Sequence, residues 1–107
     1  FYEFPNKYTK ILKFKYKIPI YIDGKPINNI NELELVENYI YANIFTSSNI
    51  IKINTTNYKI EKIYNFSKLS KTEGYNNFMN GITFNKLKKT FLLTGKNWNY
   101  VYEVKFL

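Results

Sequence analysis

The side chains able to do chemistry in this chain are amides, carboxylates, lysines and tyrosines, because its 107 residues include no histidine and no cysteine. Disulfides, thiol nucleophiles, imidazole bases and the usual zinc ligands are therefore excluded within it. One stretch, NELELVENYIYANIF, opens on a carboxamide followed by a carboxylate, Asn31-Glu32. Such a pair can hold a polar ligand, and an asparagine at this place can equally cap a turn.

The net charge of +8 arises from sixteen lysines, with no arginine, against eight acids. A basic balance of this size raises the question of nucleic-acid binding. Proteins that recognise nucleic-acid bases or bind phosphates rely on the paired hydrogen bonds of arginine, however, and this chain has no arginine. Its densest basic run is only KLKK at 86–89. A basic nucleic-acid-binding β-domain is therefore a weaker alternative, and no nucleic acid is expected as a partner.

The composition, 45% hydrophobic and 20% aromatic, is enough to build a core. The chain has no apolar run of about 18 residues and no charged-then-apolar leader, so we expect neither a membrane span nor a signal peptide in it. It begins at Phe1 inside a strand-like pattern and without a methionine. We therefore expect a piece of a longer protein.

Apolar and polar residues alternate along most of the chain, which predicts β-strands. LKFKYKI at 12–18 carries lysines on one face, as edge strands often do, and NYVYEVKF at 99–106 alternates in the same way. Turn signals separate such runs, among them Asp23-Gly24, Glu37-Asn38 and Lys88-Lys89. The only helical segment expected is a short turn around 67–74.

The chain repeats itself with a period near fifty. Asn31 aligns with Asn80, 49 residues on, and Phe45 aligns with Lys96, 51 residues on. Repeats of this length with three or four short strands are typical of propeller blades. The predicted fold class is all-β, with one propeller domain over 1–107. It divides into outer strands of a preceding blade at 1–18, a full blade at 31–64 and three strands of the last blade at 80–107.

A propeller needs at least about four blades to close its ring, and this chain supplies little more than two. We therefore expect it to be the C-terminal part of a propeller. Its expected partner is the remaining N-terminal part of the same propeller, as a separate or cleaved chain, which would also supply the fourth strand of the last blade.

Four motifs in register carry a resemblance to a known family: N-E-L-E at 31–34, A-N-I-F at 42–45, N-G-I at 80–82 and T-G-K-x-W at 94–98. Together with FYEFPNKYTKI at the start and YEVKF near the end, they resemble the plant-type glutaminyl cyclases over essentially the whole chain. The resemblance implies a five-bladed β-propeller that converts the N-terminal glutamine of peptides and proteins to pyroglutamate with release of ammonia. It implies no cofactor for catalysis.

In this reaction the substrate's α-amine attacks its own γ-carboxamide through a tetrahedral oxyanion. Catalysis calls for a carboxylate proton shuttle, an oxyanion donor and an apolar wall. The family's shuttle is a glutamate in an E-G-L motif, which this chain lacks, so the chain is expected to supply the rest of the pocket. The resemblance places Asn31 at the substrate-binding asparagine and Lys96 at the active-site lysine, where a cation can stabilise the oxyanion or help the departing amine.

Three aromatic residues correspond to positions at or near the family's pocket. Phe45 replaces the usual tryptophan, which keeps an apolar wall and removes an indole N–H. Tyr41 also stands where plant members have tryptophan, and an aromatic on a strand belongs as readily to the core. Trp98 matches the tryptophan of T-G-K-x-W, and both substrate binding and core packing are open for it.

Glu32 and Asn80 are expected to face the central channel, where oxygen ligands from several blades suit a structural calcium ion. The alternative is that buried water and backbone N–H groups satisfy both side chains.

Two further functions stay open: a non-catalytic propeller that binds peptides at one face, and a calcium-stabilised hydrolase on a related propeller. Plant-type cyclases act on proteins in the secretory route, and the sequons Asn54-Thr55-Thr56 and Asn65-Phe66-Ser67 fit a secretory or extracellular location. In a chain with sixteen asparagines such triplets also arise by chance.

Overall fold

A computed structural model of the chain describes residues 15–74 and 77–106. Strands dominate these two ranges, which contain one helix. The elements in chain order are β1 (Tyr21–Ile22), β2 (Lys25–Pro26), β3 (Ile30–Val36), β4 (Tyr39–Ile44), β5 (Asn49–Asn54), β6 (Ile60–Asn65), α1 (Ser67–Glu73), β7 (Met79–Asn85), β8 (Thr90–Gly95) and β9 (Tyr102–Val104). Within these ranges, no helix is long and apolar enough to cross a membrane. The predicted all-β class and the short helix near 67–74 are confirmed.

The strands form three antiparallel sheets. β1 and β2 make a small hairpin, β3 to β6 make a four-stranded sheet, and β7 to β9 make a three-stranded sheet, each in chain order. Neighbours in the chain pair because short turns join them, and tight turns need residues with positive φ. Such residues are Asp23 (51°), Glu37 (55°) and Lys89 (55°), which confirms the turns predicted at these places.

The two larger sheets repeat the same hydrogen-bond register. Ala42 of β4 pairs with Ile51, and Leu93 of β8 pairs with Tyr102, so both members of the second pair lie 51 residues after those of the first. The predicted repeat is therefore a repeated structural unit. The sheets span 30–65 and 79–104. Their assignment as a full blade and as part of the last blade of one domain stays a prediction.

Two apolar clusters hold the larger sheets in place. One lies between these sheets, and its buried members are Tyr41, Ile50, Met79, Phe91 and Leu93. The other packs the opposite face of the four-stranded sheet against the segment that precedes it, and its buried members are Ile20, Ala42, Ile51 and Ile53. Full burial of such a side chain contributes about 1.5–3 kcal/mol. Tyr41 is thus a core residue, with its ring 4.6 Å from that of Phe91.

Two strand predictions at the ends need correction. Residues 15–18 form no strand, because no strand among the described residues pairs with them and takes up their backbone hydrogen bonds. The rest of the outer strands predicted at 1–18 lies outside the described residues. The strand predicted at 99–106 shortens to 102–104, since Tyr100 is 65% exposed and Phe106 stacks on Phe91 beyond the end of the pairing.

Candidate functional site

A β-bulge interrupts the first strand of each larger sheet near its start. In β3 the two bulged residues, Asn31 and Glu32, lie opposite the single residue Asn43, and in β7 Asn80 and Gly81 lie opposite Thr94. A bulge breaks the alternation of a strand and re-aims its side chains, often beside a functional site. The carboxamide that opens NELEL therefore stands outside the regular ladder, where its side chain can turn toward the neighbouring sheet.

The bulges bring two predicted site residues together. Asn31 Nδ2 donates a hydrogen bond of 2.8 Å to Asn80 Oδ1, across the gap between β3 and β7. Asn31 is exposed, and its Oδ1 has no protein partner in the described part of the chain. The pair therefore fixes the orientation of the Asn31 amide and leaves an acceptor oxygen and one N–H free for a ligand.

Phe45 and Lys96 occupy equivalent positions, each just after the second strand of its sheet. The Phe45 N–H donates to Asn29 O at 2.7 Å, and the Lys96 N–H donates to Phe78 O at 2.9 Å. These matching bonds confirm the predicted alignment of Phe45 with Lys96. The Lys96 side chain is exposed. Its backbone is fixed by the strand end, while its ammonium is free to reach a ligand above the sheet.

Phe78 links these two positions and was not predicted as a site residue. Its ring meets the Phe45 ring edge-on at 5.7 Å between centroids, and both side chains are half-buried. Its carbonyl oxygen holds the Lys96 backbone, as described above. The available signal was an aromatic directly before the apolar start of the strand at Met79. Phe45 and Phe78 together form an apolar wall beside the exposed Lys96.

Trp98 packs against the loop that carries Lys96. Its Nε1 donates to Asn77 O at 2.6 Å, and its ring meets that of Tyr102 edge-on. A Cβ at Gly95 would lie 2.7 Å from Phe78 O and still closer to the indole, so only glycine fits under the ring. These contacts favour the packing role of Trp98, and they explain the glycine of T-G-K-x-W.

Glu73, at the end of α1, is the second residue that sequence reasoning missed. It is buried, with 6% of its surface exposed, and accepts hydrogen bonds from the Asn99 N–H at 2.7 Å and the Tyr102 hydroxyl at 2.6 Å. The hydrogen bond to Glu73, aided by partial burial, raises the pKa of Tyr102 to about 12. The carboxylate thus ties the helix to the loop after Lys96.

Asn43 of β4 lies inside the A-N-I-F motif, where only Phe45 was singled out. Asn43 is fully buried, and its Oδ1 accepts a hydrogen bond of 3.2 Å from the Gly81 N–H. Its Nδ2 has no partner within the described residues. Because Gly81 belongs to the bulge of β7, Asn43 supports the backbone that carries Asn80.

The calcium ligands expected from the sequence do not make a site by themselves. Glu32 is exposed, and Asn80 Oδ1 already accepts the bond from Asn31. Among residues 15–74 and 77–106, no group of three or more acidic side chains is placed to hold a metal ion. Calcium takes about six to eight oxygen ligands, so two residues are too few. The structural calcium ion stays a prediction.

Known proteins resemble this chain in sequence and in structure. The profile of the family described as glutamine cyclotransferase matches residues 7–106. The glutaminyl-peptide cyclotransferase of Arabidopsis thaliana is 30% identical over 88 residues, covering 78% of this chain and 28% of that protein. The chain therefore spans less than a third of that relative's length.

The structural match agrees with the sequence. The crystal structure of the Myxococcus xanthus glutaminyl cyclase has a TM-score of 0.73 with this chain at 28% identity, covering 80% of this chain and 39% of that one. It confirms the predicted fold class, an all-β part of a propeller. Since the family profile covers nearly the whole sequence, the chain belongs to the glutamine cyclotransferase family.

Proposed function

We propose that the intact protein containing this chain is a glutaminyl-peptide cyclotransferase, which converts the N-terminal glutamine of peptides and proteins to pyroglutamate and releases ammonia. The observation that carries the proposal is the Asn31–Asn80 hydrogen bond. It fixes the Asn31 amide near the start of β3 and leaves the oxygen and one N–H of that amide free. A primary carboxamide has both donors and an acceptor, so a free amide edge is a complementary partner for it.

We assign the roles as follows. Asn31 holds the glutaminyl group through its free oxygen and N–H. Lys96 approaches the γ-carbonyl oxygen and stabilises the negative charge that develops there. Phe45 and Phe78 exclude water on one side. The attacking amine and its target belong to the same residue, so the protein has only to hold one folded conformer of the substrate.

The proton shuttle belongs to the rest of the protein in this proposal. The amine must lose a proton and the departing nitrogen must gain one, which suits a carboxylate. This chain lacks the E-G-L glutamate of the family, and Glu73, its buried carboxylate near the loop that follows Lys96, is engaged by Asn99 and Tyr102. We therefore propose that the remaining blades, on the same or a cleaved chain, supply the shuttle and complete a five-bladed ring.

Ammonia release from a glutaminyl peptide tests the function directly. The intact protein, confirmed as folded by circular dichroism, is incubated with a peptide that begins with glutamine, and pyroglutamate is followed by mass spectrometry. Turnover is expected with this peptide and not with the matched peptide that begins with asparagine. A folded protein that binds the peptide without turnover would instead be a non-catalytic binding module.

We also propose a secretory or extracellular location, which rests on the family resemblance and the two sequons. Asn65 is exposed, whereas Asn54 Nδ2 donates to Glu61 at 2.8 Å. A glycan is therefore expected on Asn65 in preference to Asn54. Mass spectrometry of the protein from its own cells checks this, and detection in the cytosol alone would contradict the proposed location.

A further inference from the structure

A second concave site lies next to the aromatic wall. It is a cleft of about 220 Å³ between α1 and the turn that joins β4 to β5. Its lining residues are Thr46, Ser47, Ser48, Ser67, Ser70, Lys71, Asn77 and Phe78. Five of these eight side chains bear hydroxyl groups, one is a cation and none is acidic. The cleft thus has the lining of a site for an anionic group.

The hydroxyl groups differ in what they can offer a ligand. Ser47 is used locally, because its hydroxyl donates to Ile44 O and accepts from the Asn49 N–H. Ser48 donates to Ser70 Oγ at 2.9 Å, which leaves the Ser70 proton free to point into the cleft. Within the described residues, the hydroxyls of Thr46 and Ser67 have no partner. Three O–H donors are therefore available.

The spacing of residues along α1 brings a positive charge to the hydroxyl groups of the cleft. Ser67, Ser70 and Lys71 are separated by three and four residues, which places them on one face of the helix. Lys71 lines the cleft, whereas Lys68 on the same helix does not. Lys71 makes no ion pair among the described residues. Its ammonium is thus free to meet an anion held by the hydroxyls.

The cleft shares a wall with the proposed glutamine site. Phe78 lines the cleft, contacts the ring of Phe45, and holds the backbone of Lys96 through its carbonyl oxygen. A peptide advances about 3.3 Å per residue when extended. A chain that leaves a glutamine beside Phe45 can therefore place its next side chains over the hydroxyl groups.

We propose that this cleft is a specificity subsite for substrates that carry a carboxylate side chain at the second or third position. The inference rests on the proposed cyclase function and adds a preference to it. Lys71 supplies the charge, and Ser67, Ser70 and Thr46 supply hydrogen bonds to the carboxylate. The preference acts on binding, because these groups stand apart from the reacting atoms.

Paired peptides test the subsite in the intact protein. Peptides that begin Gln-Glu-Glu, Gln-Gln-Gln and Gln-Lys-Lys are compared by kcat/KM. An exposed charge pair with added hydrogen bonds predicts about a 5- to 10-fold preference for the acidic peptide over the neutral one, expressed in KM. Lys71→Ala should reduce the preference to less than about twofold, and Lys71→Glu should favour the lysine peptide. Lys68→Ala, on the same helix, is the matched control and should leave the ratio unchanged.

The outcomes separate the two proposals. Equal turnover of all three peptides would overturn the subsite and leave the cyclase function in place. A preference that survives Lys71→Ala would also overturn it, whatever the result for Lys68→Ala. Absence of turnover with every peptide would remove the cyclase function, and with it the subsite.

Discussion

Asn31 and Asn80 lie 49 residues apart in the sequence and share a hydrogen bond of 2.8 Å between the two larger sheets. Each occupies the same place in its own repeat, in the bulge that begins the first strand. The repeat thus places two equivalent asparagines side by side, where they form a hydrogen bond. One copy of the amide orients the other, so the two asparagines have different roles in the proposed site.

The first prediction concerns these two roles. Asn31→Ala should lower kcat/KM for a glutaminyl peptide by about 100-fold, with KM sharing the loss, because the amide holds the substrate before and during turnover. Asn80→Ala should lower kcat/KM by about tenfold, since it removes the partner that orients Asn31 and leaves the Asn31 amide in place. The exposed Asn28, changed to alanine, serves as the control. Equal activity in wild type and Asn31→Ala would remove Asn31 from the site.

The second prediction concerns the charge at Lys96. Lys96→Ala should lower kcat by about 100-fold, or roughly 3 kcal/mol, because the positive charge acts on the oxyanion of the transition state. Lys96→Arg should have a kcat close to that of Lys96→Ala, since a planar guanidinium places its charge differently. Lys59→Ala, in the turn between β5 and β6 of the four-stranded sheet, should behave as wild type. A folded Lys96→Ala enzyme with near-normal kcat would mark Lys96 as a solvated surface charge.

The third prediction concerns the apolar wall. Phe45→Trp enlarges the ring that meets Phe78 and restores an indole N–H, so KM should fall while kcat stays within about threefold. Steady-state kinetics with one peptide series measures both constants. A large change in kcat with unchanged KM would contradict a binding role and would indicate that Phe45 acts on the reacting groups.

The fold was largely predictable from local patterns. Alternation, turn residues such as Asp23-Gly24, and the repeat between Asn31 and Asn80 predict the strands, their order and the matching registers. The strand predicted at 15–18, which the structure does not form, required more than local pattern can decide. Alternation shows that a segment is suited to a sheet, but a strand also needs a neighbour, and a single sequence does not specify that neighbour.

The site was predictable only in part, for a similar reason. Asn31, Phe45 and Lys96 lie in motifs, whereas Glu73 and Phe78 gain their importance from contacts with residues more than 15 positions away. A glutamate at a helix end is ordinarily a solvated charge. Only the folded chain shows that Asn99 and Tyr102 close over it.

The fourth prediction concerns Asn43. Asn43→Ala should lower the free energy of unfolding by about 1–3 kcal/mol, because the Gly81 N–H loses its acceptor and a small cavity forms. It should also lower kcat/KM, since the bulge that carries Asn80 loses its support. Urea unfolding of the intact protein and peptide kinetics measure the two effects. Asn49→Ala, whose side chain makes no hydrogen bond within the described residues, is the control and should change neither.

The last prediction concerns the alkaline limit of stability. The pKa of Tyr102 is raised from 10.0 to about 12, chiefly by its hydrogen bond to Glu73, so the folded chain holds this proton more tightly than the unfolded chain. The resulting stability is fully present below pH 10 and is lost as the pH rises through about 12. Melting temperatures measured across this range should therefore fall less steeply in Tyr102→Phe than in wild type. Tyr41 and Tyr64, whose pKa values are raised by burial, contribute to the slope of both proteins, so the difference between the two profiles isolates Tyr102. Identical slopes in wild type and Tyr102→Phe would show that the bond to Glu73 does not hold the loop.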